Sequence, residues 1–447
     1  MTATHLNRRQ WLTGAAAGAA TLSLAGLGWS PRLKAAGLTA RVVVIGAGMA
    51  GATAAKYLRL WGGSGVAVTL VEPDAAYTSN IMSNLVLSGG RTLASLQQDT
   101  SALVSRHGVV RRTAQVTAID ATARRVSLSD GSSLDYDRLV VAPGVEFMPA
   151  HGLSLADYEQ RTPHAWRAGP QTQLLRDQLL AMPAGGTVVM TIPKAPYRCP
   201  PGPYERACLV ADFLKAEKGA SARMLVLDEN SGIQAERETF TRAFNEVHAG
   251  TIEYHPDAGN LQIDPLSLSV TWTDLTGAPH AVQAQVVNPI APHRAAGSAP
   301  GGWLASAGLA NSADGRWAVV DVRSYESTAV PGVHVIGDAA QCGLPKAGHV
   351  ANQEAKICAD AILRLLAGAS PYAAPVANSA CYSPITASTA SWLTAVYQYD
   401  PSTRTMKPAA DNGSLATGRA IESASISSRN FDQMGTWFRT LMSDSFS

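Results

Sequence analysis

The run Gly46-Ala47-Gly48-Met49-Ala50-Gly51 restricts the fold of this chain more than any other feature. Glycine triplets of this spacing arise by chance in loops, so the context decides. A β-branched strand, Arg41-Val42-Val43-Val44-Ile45, leads into it, and a helical pattern (Ala54, Ala55, Tyr57, Leu58, Leu60) follows. After Gly62-Gly63 a second strand, Val66 to Val71, closes on Glu72. A β-α-β unit of this kind holds a dinucleotide. Gly46 permits the tight turn, Gly48 lets backbone amides approach a pyrophosphate, and Gly51 brings helix and strand close. The positive helix end then faces the phosphates. Glu72 accepts hydrogen bonds from ribose hydroxyls, and its charge would repel a 2′-phosphate. Gly46, Gly48, Gly51 and Glu72 are therefore candidate cofactor-binding residues.

The rest of the chain repeats this plan once. Residues 114–141 read as hairpins, with turns at Ala121-Thr122 and Asp130-Gly131 between the runs Val116–Ile119, Val126–Leu128 and Leu139–Val141. Residues 185–228 form a second β-α-β pattern: strand Thr187 to Ile192, helix around Tyr204 to Lys218, strand Arg223 to Leu227. Val333-His334-Val335-Ile336 runs into Gly337-Asp338, and a long helical stretch covers Ala347 to Leu366. The tail carries a hairpin, Trp392 to Tyr399 followed by the turn Asp400-Pro401-Ser402, and an amphipathic stretch from Phe431 to Met442. The expected organisation is an export signal over 1–36 and a discontinuous first dinucleotide domain, 37–150 and 301–375. A second Rossmann-like domain over 151–300 and a C-terminal interface domain over 376–447 complete it.

Two further runs bear on which dinucleotide is bound. Leu139-Val140-Val141-Ala142-Pro143-Gly144 resembles the strand-to-turn junction of flavin-dependent disulfide reductases. Val335-Ile336-Gly337-Asp338 resembles their second flavin fingerprint, whose aspartate bonds the ribityl chain. With the Gly46 motif these favour FAD on an α/β, glutathione-reductase-like fold with two dinucleotide-binding domains and a small C-terminal α+β domain. Val116, Ala142, Gly144 and Asp338 join the candidate FAD contacts. Lys346 is expected beside the flavin, where a cation and a helix start would stabilise the anionic reduced ring. The loop of the second unit, Pro193 to Tyr204, holds five prolines, which remove N–H donors that a pyrophosphate needs. No NAD(P)H site is expected there.

Charge and targeting fit a chain that works outside the cytoplasm. Arg8-Arg9-Gln10-Trp11-Leu12 followed by a mild, uncharged Ala/Gly-rich stretch to Gly28 matches a twin-arginine export signal. That stretch is short for a span of ~20 residues, so no transmembrane anchor is expected after its removal. The formal net charge is +2; without Arg8, Arg9, Arg32 and Lys34 it becomes −2, from 32 basic and 34 acidic residues. Nothing here marks nucleic acid as a partner. The five cysteines form neither a C-x-x-C nor a Cys/His cluster, so no metal site is expected, and any haem would sit on a partner.

Cys199 lies on the proline-rich loop, where the second domain should face the flavin. Cys342 follows Asp338 by four residues and is expected on the flavin side too. A flavin-proximal cysteine pair can be attacked by a sulfur nucleophile and release a thiolate; a purely structural disulfide is the bland alternative. Glu205, at a helix start, is a candidate proton acceptor or a helix N-terminal charge. Cys208 and Cys358 read as buried core thiols.

With these residues assembled, the chain resembles the flavoprotein subunit of flavocytochrome c sulfide dehydrogenase. The carriers are the Gly46 motif, Cys199-Pro200-Pro201-Gly202-Pro203-Tyr204-Glu205-Arg206, Gly337-Asp338-Ala339, Cys342, Pro345-Lys346 and Cys381-Tyr382-Ser383. The resemblance implies periplasmic sulfide oxidation with FAD, a redox disulfide, and single-electron transfer to a c-type cytochrome subunit or another small periplasmic redox protein. It assigns the disulfide to Cys199 and Cys342 and an active-site acid to Glu205. Many members attach FAD through a cysteine in a Tyr-Thr-Cys context; here Tyr77-Thr78-Ser79 implies non-covalent FAD. The competing readings are a sulfide:quinone oxidoreductase-like enzyme at the membrane and a non-catalytic electron-transfer or metal-carrying relative.

Overall fold

The structure, a computed structural model, describes residues 38–409 and 418–447. The twin-arginine segment lies outside them. The central strand is β1 (Ala40–Ile45), whose valines are buried on both faces, as a parallel strand sandwiched between helices requires. Helix α1 (Met49–Gly62) crosses to β2 (Val66–Val71), with Ala40 opposite Val66 and Ile45 opposite Val71. β3 (Val110–Arg112) extends this edge, and β4 (Arg138–Val141) lies on the other side of β1. Between them, residues 116–135 fold into a separate three-stranded meander.

The chain then leaves this sheet for a second one. Strand β5 (Thr187–Ile192), helix α2 (Gly202–Glu217), β6 (Arg223–Asp228), β7 (Ile252–His255) and β8 (Val286–Pro289) make a parallel sheet in the order β7-β6-β5-β8. A three-stranded antiparallel sheet over residues 259–283 is inserted before β8. Strands β9 (Ala318–Asp321), β10 (Glu326–Ser327), β11 (Val333–Val335) and β12 (Ala340–Gln341) return to the first sheet, giving β12-β9-β10-β11-β4-β1-β2-β3. This return makes the first unit discontinuous. Helix α3 (Gly348–Leu366) packs on α1 beneath it.

The C-terminal sheet is antiparallel: β13 (Val376–Pro384), β14 (Ala390–Asp400), β15 (Thr405–Pro408) and β16 (Ile421–Glu422). Helix α4 (Ser428–Phe446) turns Met434, Phe438, Leu441, Met442 and Phe446 inward. Asp444 fixes its end on the first unit, by Lys356 at 2.7 Å, Tyr57 at 2.6 Å and Asn352 at 2.8 Å. The amphipathic stripe read from sequence is thus core. Among the described residues no helix is long and apolar enough to cross a membrane.

Candidate active site

A single cavity of about 1250 Å³ runs from the tip of β1 to the C-terminal sheet. Its floor is the β1–α1 turn. Gly46 has φ +91°, and a Cβ there would lie 2.3 Å from the Ala142 carbonyl oxygen. A Cβ on Gly51 would fall 1.8 Å from the Gly46 oxygen, so helix and strand can approach only with glycine at both positions. Gly48 caps α1 and lines the cavity; a Cβ there would meet only the Tyr77 ring, at 3.7 Å. This is a cradle that a larger residue would fill. Glu72 is held by the N–H groups of Ala47 (2.7 Å) and Asp74 (3.0 Å) and lines the same wall. Ala142, Gly144, Asp338 and the start of α3 (Ala347 to His349) complete this end. The volume, the glycine cradle and the carboxylate together fit a dinucleotide.

Three expected contacts fall elsewhere. The Lys346 ammonium does not point into the cavity: it donates to the carbonyls of Asp338 and Ala340, both at 2.8 Å, and sits 3.9 Å over the Trp317 ring. With two carbonyls and an aromatic face satisfying it, it works as a brace for the Asp338 turn. Val116 pairs with Leu128 in the meander and lies outside the cavity wall. Cys342 is buried in the core of the first unit, where its Sγ donates to Glu354 Oε1 at 3.2 Å. Pairing of β12 with β9 leads the chain through that core, so nearness to Asp338 in sequence does not bring Cys342 to the cavity.

The cysteines that do line the cavity are Cys199 and Cys381. Cys199 sits in the left-handed region (φ +60°), a conformation that costs energy in a non-glycine residue and that its surroundings must enforce. Its N–H donates to the Lys346 carbonyl at 2.7 Å, and its carbonyl accepts from Gly202 at 2.9 Å. A Cβ on Gly202 would lie 2.8 Å from the Cys199 sulfur, so the glycine makes room for that sulfur. Cys381 projects from β13, opposite Leu393. Burial first, then the charge of Cys199, raises the Cys381 thiol. Burial, with Glu205 next, pushes the Cys199 thiol up to about 12. Neither is a ready thiolate as a free thiol. All five cysteines are unbonded in this structure.

Glu205 stands in the first turn of α2 and lines the cavity. Burial raises it to about 7, although Asn84, donating to Oε1 at 2.8 Å, and Arg206 both favour its charged form. Arg206 is fully buried and spends its guanidinium on Asn84, His164, Ala165 and Asn288 while stacking 4.6 Å from Trp166. It welds the 164–166 loop to α2. Asn84, Trp166 and Arg198 also line the site, and sequence reasoning gave none of them a role there. Arg198 is a cation whose charge favours ionised Asp338 and Cys199. Ser79 is buried, and its hydroxyl donates to the Ile81 carbonyl at 3.2 Å; its neighbours Thr78 and Asn80 line the cavity.

Fold and cavity define the class: an oxidoreductase of the two-dinucleotide-domain flavoprotein type. Residues 40–182 match the pyridine nucleotide-disulphide oxidoreductase family. Residues 172–291, which include Cys199 and Glu205, match the central domain of the sulfide dehydrogenase (flavocytochrome c) flavoprotein chain, and residues 373–446, with Cys381, match the flavocytochrome c sulphide dehydrogenase flavin-binding domain. The sulfide dehydrogenase flavoprotein chain of Chlorobaculum thiosulfatiphilum is 52% identical over 48 residues, 11% of this chain and 98% of that sequence. The chain belongs to the flavocytochrome c sulfide dehydrogenase flavoprotein family, and its cofactor is FAD.

Other curated relatives match over a smaller part of their length. The ferredoxin–NAD(+) reductase component of the Paraburkholderia xenovorans biphenyl dioxygenase system is 30% identical over 139 residues, 31% of this chain and 33% of that one. A Mycobacterium tuberculosis NADH dehydrogenase-like protein is matched over 26% of its length. The chain thus spans about a quarter to a third of these relatives. The sulfide:quinone oxidoreductase of Aquifex aeolicus superposes with a TM-score of 0.71 at 18% identity, covering 90% of this chain and 92% of that one, a likeness of fold.

Proposed function

We propose that this protein oxidises sulfide at a Cys199–Cys381 disulfide, with non-covalently bound FAD as the next electron acceptor. The observation that carries this reading is that two cysteines remote in sequence, from the second and the C-terminal units, line one cavity together with Glu205 and the glycine cradle. Hydrosulfide attacks one sulfur of the disulfide; a new S–S bond forms, the old one breaks, and the electron pair leaves on the other cysteine as a thiolate. Glu205, raised to about 7, takes the proton that hydrogen sulfide must lose near neutral pH. Arg198 holds positive charge where the thiolate develops. Bound FAD supplies a two-electron acceptor that can release electrons singly, which suits a c-type cytochrome or another small periplasmic redox protein as the final partner.

Three finer points belong to the same proposal. Ser79 cannot form a thioether, so the flavin is held without a covalent bond. The twin-arginine segment directs the folded, cofactor-loaded protein to the periplasm. NAD(P)H is not the electron source: N–H groups of the Pro193–Tyr204 loop are already spent, Ala195 on Asn230 at 2.9 Å, Arg198 on His293 at 2.7 Å and Cys199 on Lys346. Anaerobic titration of the FAD-loaded chain with sulfide tests the reading. Bleaching of the flavin in the wild type, and its loss in Cys199→Ser and Cys381→Ser with FAD still bound, is expected. A spectrum that stays oxidised in the wild type refutes it.

A further inference from the structure

Beside the cysteine strand lies a second buried carboxylate that the chemistry above does not use. Glu236 is 2% exposed and sits at φ +52°, just ahead of the short helix Arg237–Arg242. Its Oε2 accepts the hydroxyl of Ser383, two residues along β13 from Cys381 and so on the same face of the strand. Its Oε1 is buried without a hydrogen-bond partner among the described residues. An orphaned buried carboxylate oxygen is costly unless a proton or water resides there.

The titratable groups around Glu236 come from three other elements: Glu205 and Cys208 of α2, Cys381 of β13 and Glu422 of β16. Burial raises Glu236 to about 8; Ser383 opposes the rise, and Glu422 and Glu205 add to it. Glu422 is half-buried and accepts the Thr239 N–H at 2.9 Å, about one turn on from Glu236. Two carboxylates, Glu236 beside the cysteine strand and the less buried Glu422, therefore stand in electrostatic reach of one another.

We propose that Glu236 is the proton relay of the cysteine pair, taking a proton released at Cys381 and passing it by Glu422 to solvent. This rests on the Cys199–Cys381 reading. Attack of hydrosulfide on Cys381 leaves a persulfide, Cys381–S–S–H, and a thiolate on Cys199. Sulfide sulfur is oxidised and the disulfide reduced. The persulfide keeps one proton; its loss to Glu236 as carboxylate makes the outer sulfur the nucleophile that bonds to the Cys199 sulfur, as the electron pair of that bond-forming step would pass to bound FAD, the two-electron oxidant. Glu236 acts through the cysteine rather than on incoming sulfide.

The test follows two events in the FAD-loaded chain after mixing with sodium sulfide from pH 6 to 9. Disulfide opening is read by rapid alkylation and mass spectrometry, and flavin reduction by absorbance. In Glu236→Gln, opening should stay within about twofold of wild type, while flavin reduction is little changed at pH 6, where Glu236 is already protonated, slows about tenfold at pH 9 and loses the wild-type rise near pH 8. Glu422→Gln, a milder change nearer the surface, should slow flavin reduction about threefold with the same pH trend. Profiles of both variants that overlay the wild type overturn the relay. Wild-type protein whose Cys199–Cys381 disulfide is absent or survives sulfide overturns the sulfur reading itself, and the relay with it.

Discussion

Replacing Glu205 with Gln should stabilise the protein at alkaline pH and leave it almost unchanged at acid pH. Burial raises this carboxyl from an ordinary 4.5 to about 7, so the folded state prefers it neutral. Below the lower value the group is protonated in both folded and unfolded chains and contributes nothing. Between the two values the unfolded chain ionises first, unfolding releases a proton, and stability falls as pH rises. Above about pH 7 the full cost is present. At about 1.4 kcal/mol per tenfold it amounts to roughly 3 kcal/mol. Gln keeps the acceptor for Asn84 and cannot ionise, so it removes this cost. With an unfolding entropy of about 2 cal/mol/K per residue, that is a rise in Tm of about 3 °C for a chain this long. Thermal unfolding of the FAD-loaded wild type and Glu205→Gln at pH 5 and pH 8 measures it, since every other titrating group cancels in the difference. A variant equally shifted at both values, or less stable at pH 8, would refute the claim that burial holds a proton on this acid. An active-site acid that destabilises its own fold is the expected signature of a group kept for chemistry.

Other outcomes follow from the same geometry. Cys342→Ser should leave sulfide reduction of the flavin within a few-fold of wild type, while Cys199→Ser or Cys381→Ser lowers it at least a thousandfold; stopped-flow spectra separate the two cases. Gly51→Ala places a methyl 1.8 Å from the Gly46 oxygen, and the purified protein should lose its flavin absorbance. Ser79→Cys should yield flavin that stays with the chain after acid precipitation, because position 79 lies between cavity-lining Thr78 and Asn80. Asp444→Asn breaks the Lys356 pair and should loosen α4, seen as faster proteolysis within residues 428–446.

Much of the fold was readable because its central strands are buried on both faces and therefore appear as unbroken apolar runs. The strands at Val66–Val71 and Thr187–Ile192 have the ends expected from sequence. The glycine cradle was readable for a related reason, since its spacing is dictated by steric contacts within one β-α-β unit. The cysteine pair was not. Proximity to Asp338 places the backbone of Cys342 but not the side of the sheet to which its sulfur turns, and β12 turns it into the core. Cys381 reaches the cavity only through pairing of β13 with β14 and the docking of α4, neither of which leaves a local signal. Lys346 misled for a similar reason: its charge was evident, but the carbonyls that satisfy it are arranged by the turn after β11.

The C-terminal unit therefore does more than present a surface to a partner. The two dinucleotide-type units bring the glycine cradle, Cys199 and Glu205, but the facing wall of the cavity (Cys381, Tyr382, Pro384, Met434 and Trp437) comes from β13 and α4. Those elements are tied back to the first unit at Asp444 and to the second by Ser383 on Glu236 and Ile385 on His248. A disulfide between Cys199 and Cys381 would add a covalent link between the second unit and the C-terminal one to the hydrogen bonds that already join them, and opening it would remove that link. On the proposed reading, chemistry at the sulfurs and the fit of the C-terminal wall are coupled, because the reduced state lacks the cross-link that the oxidised state has.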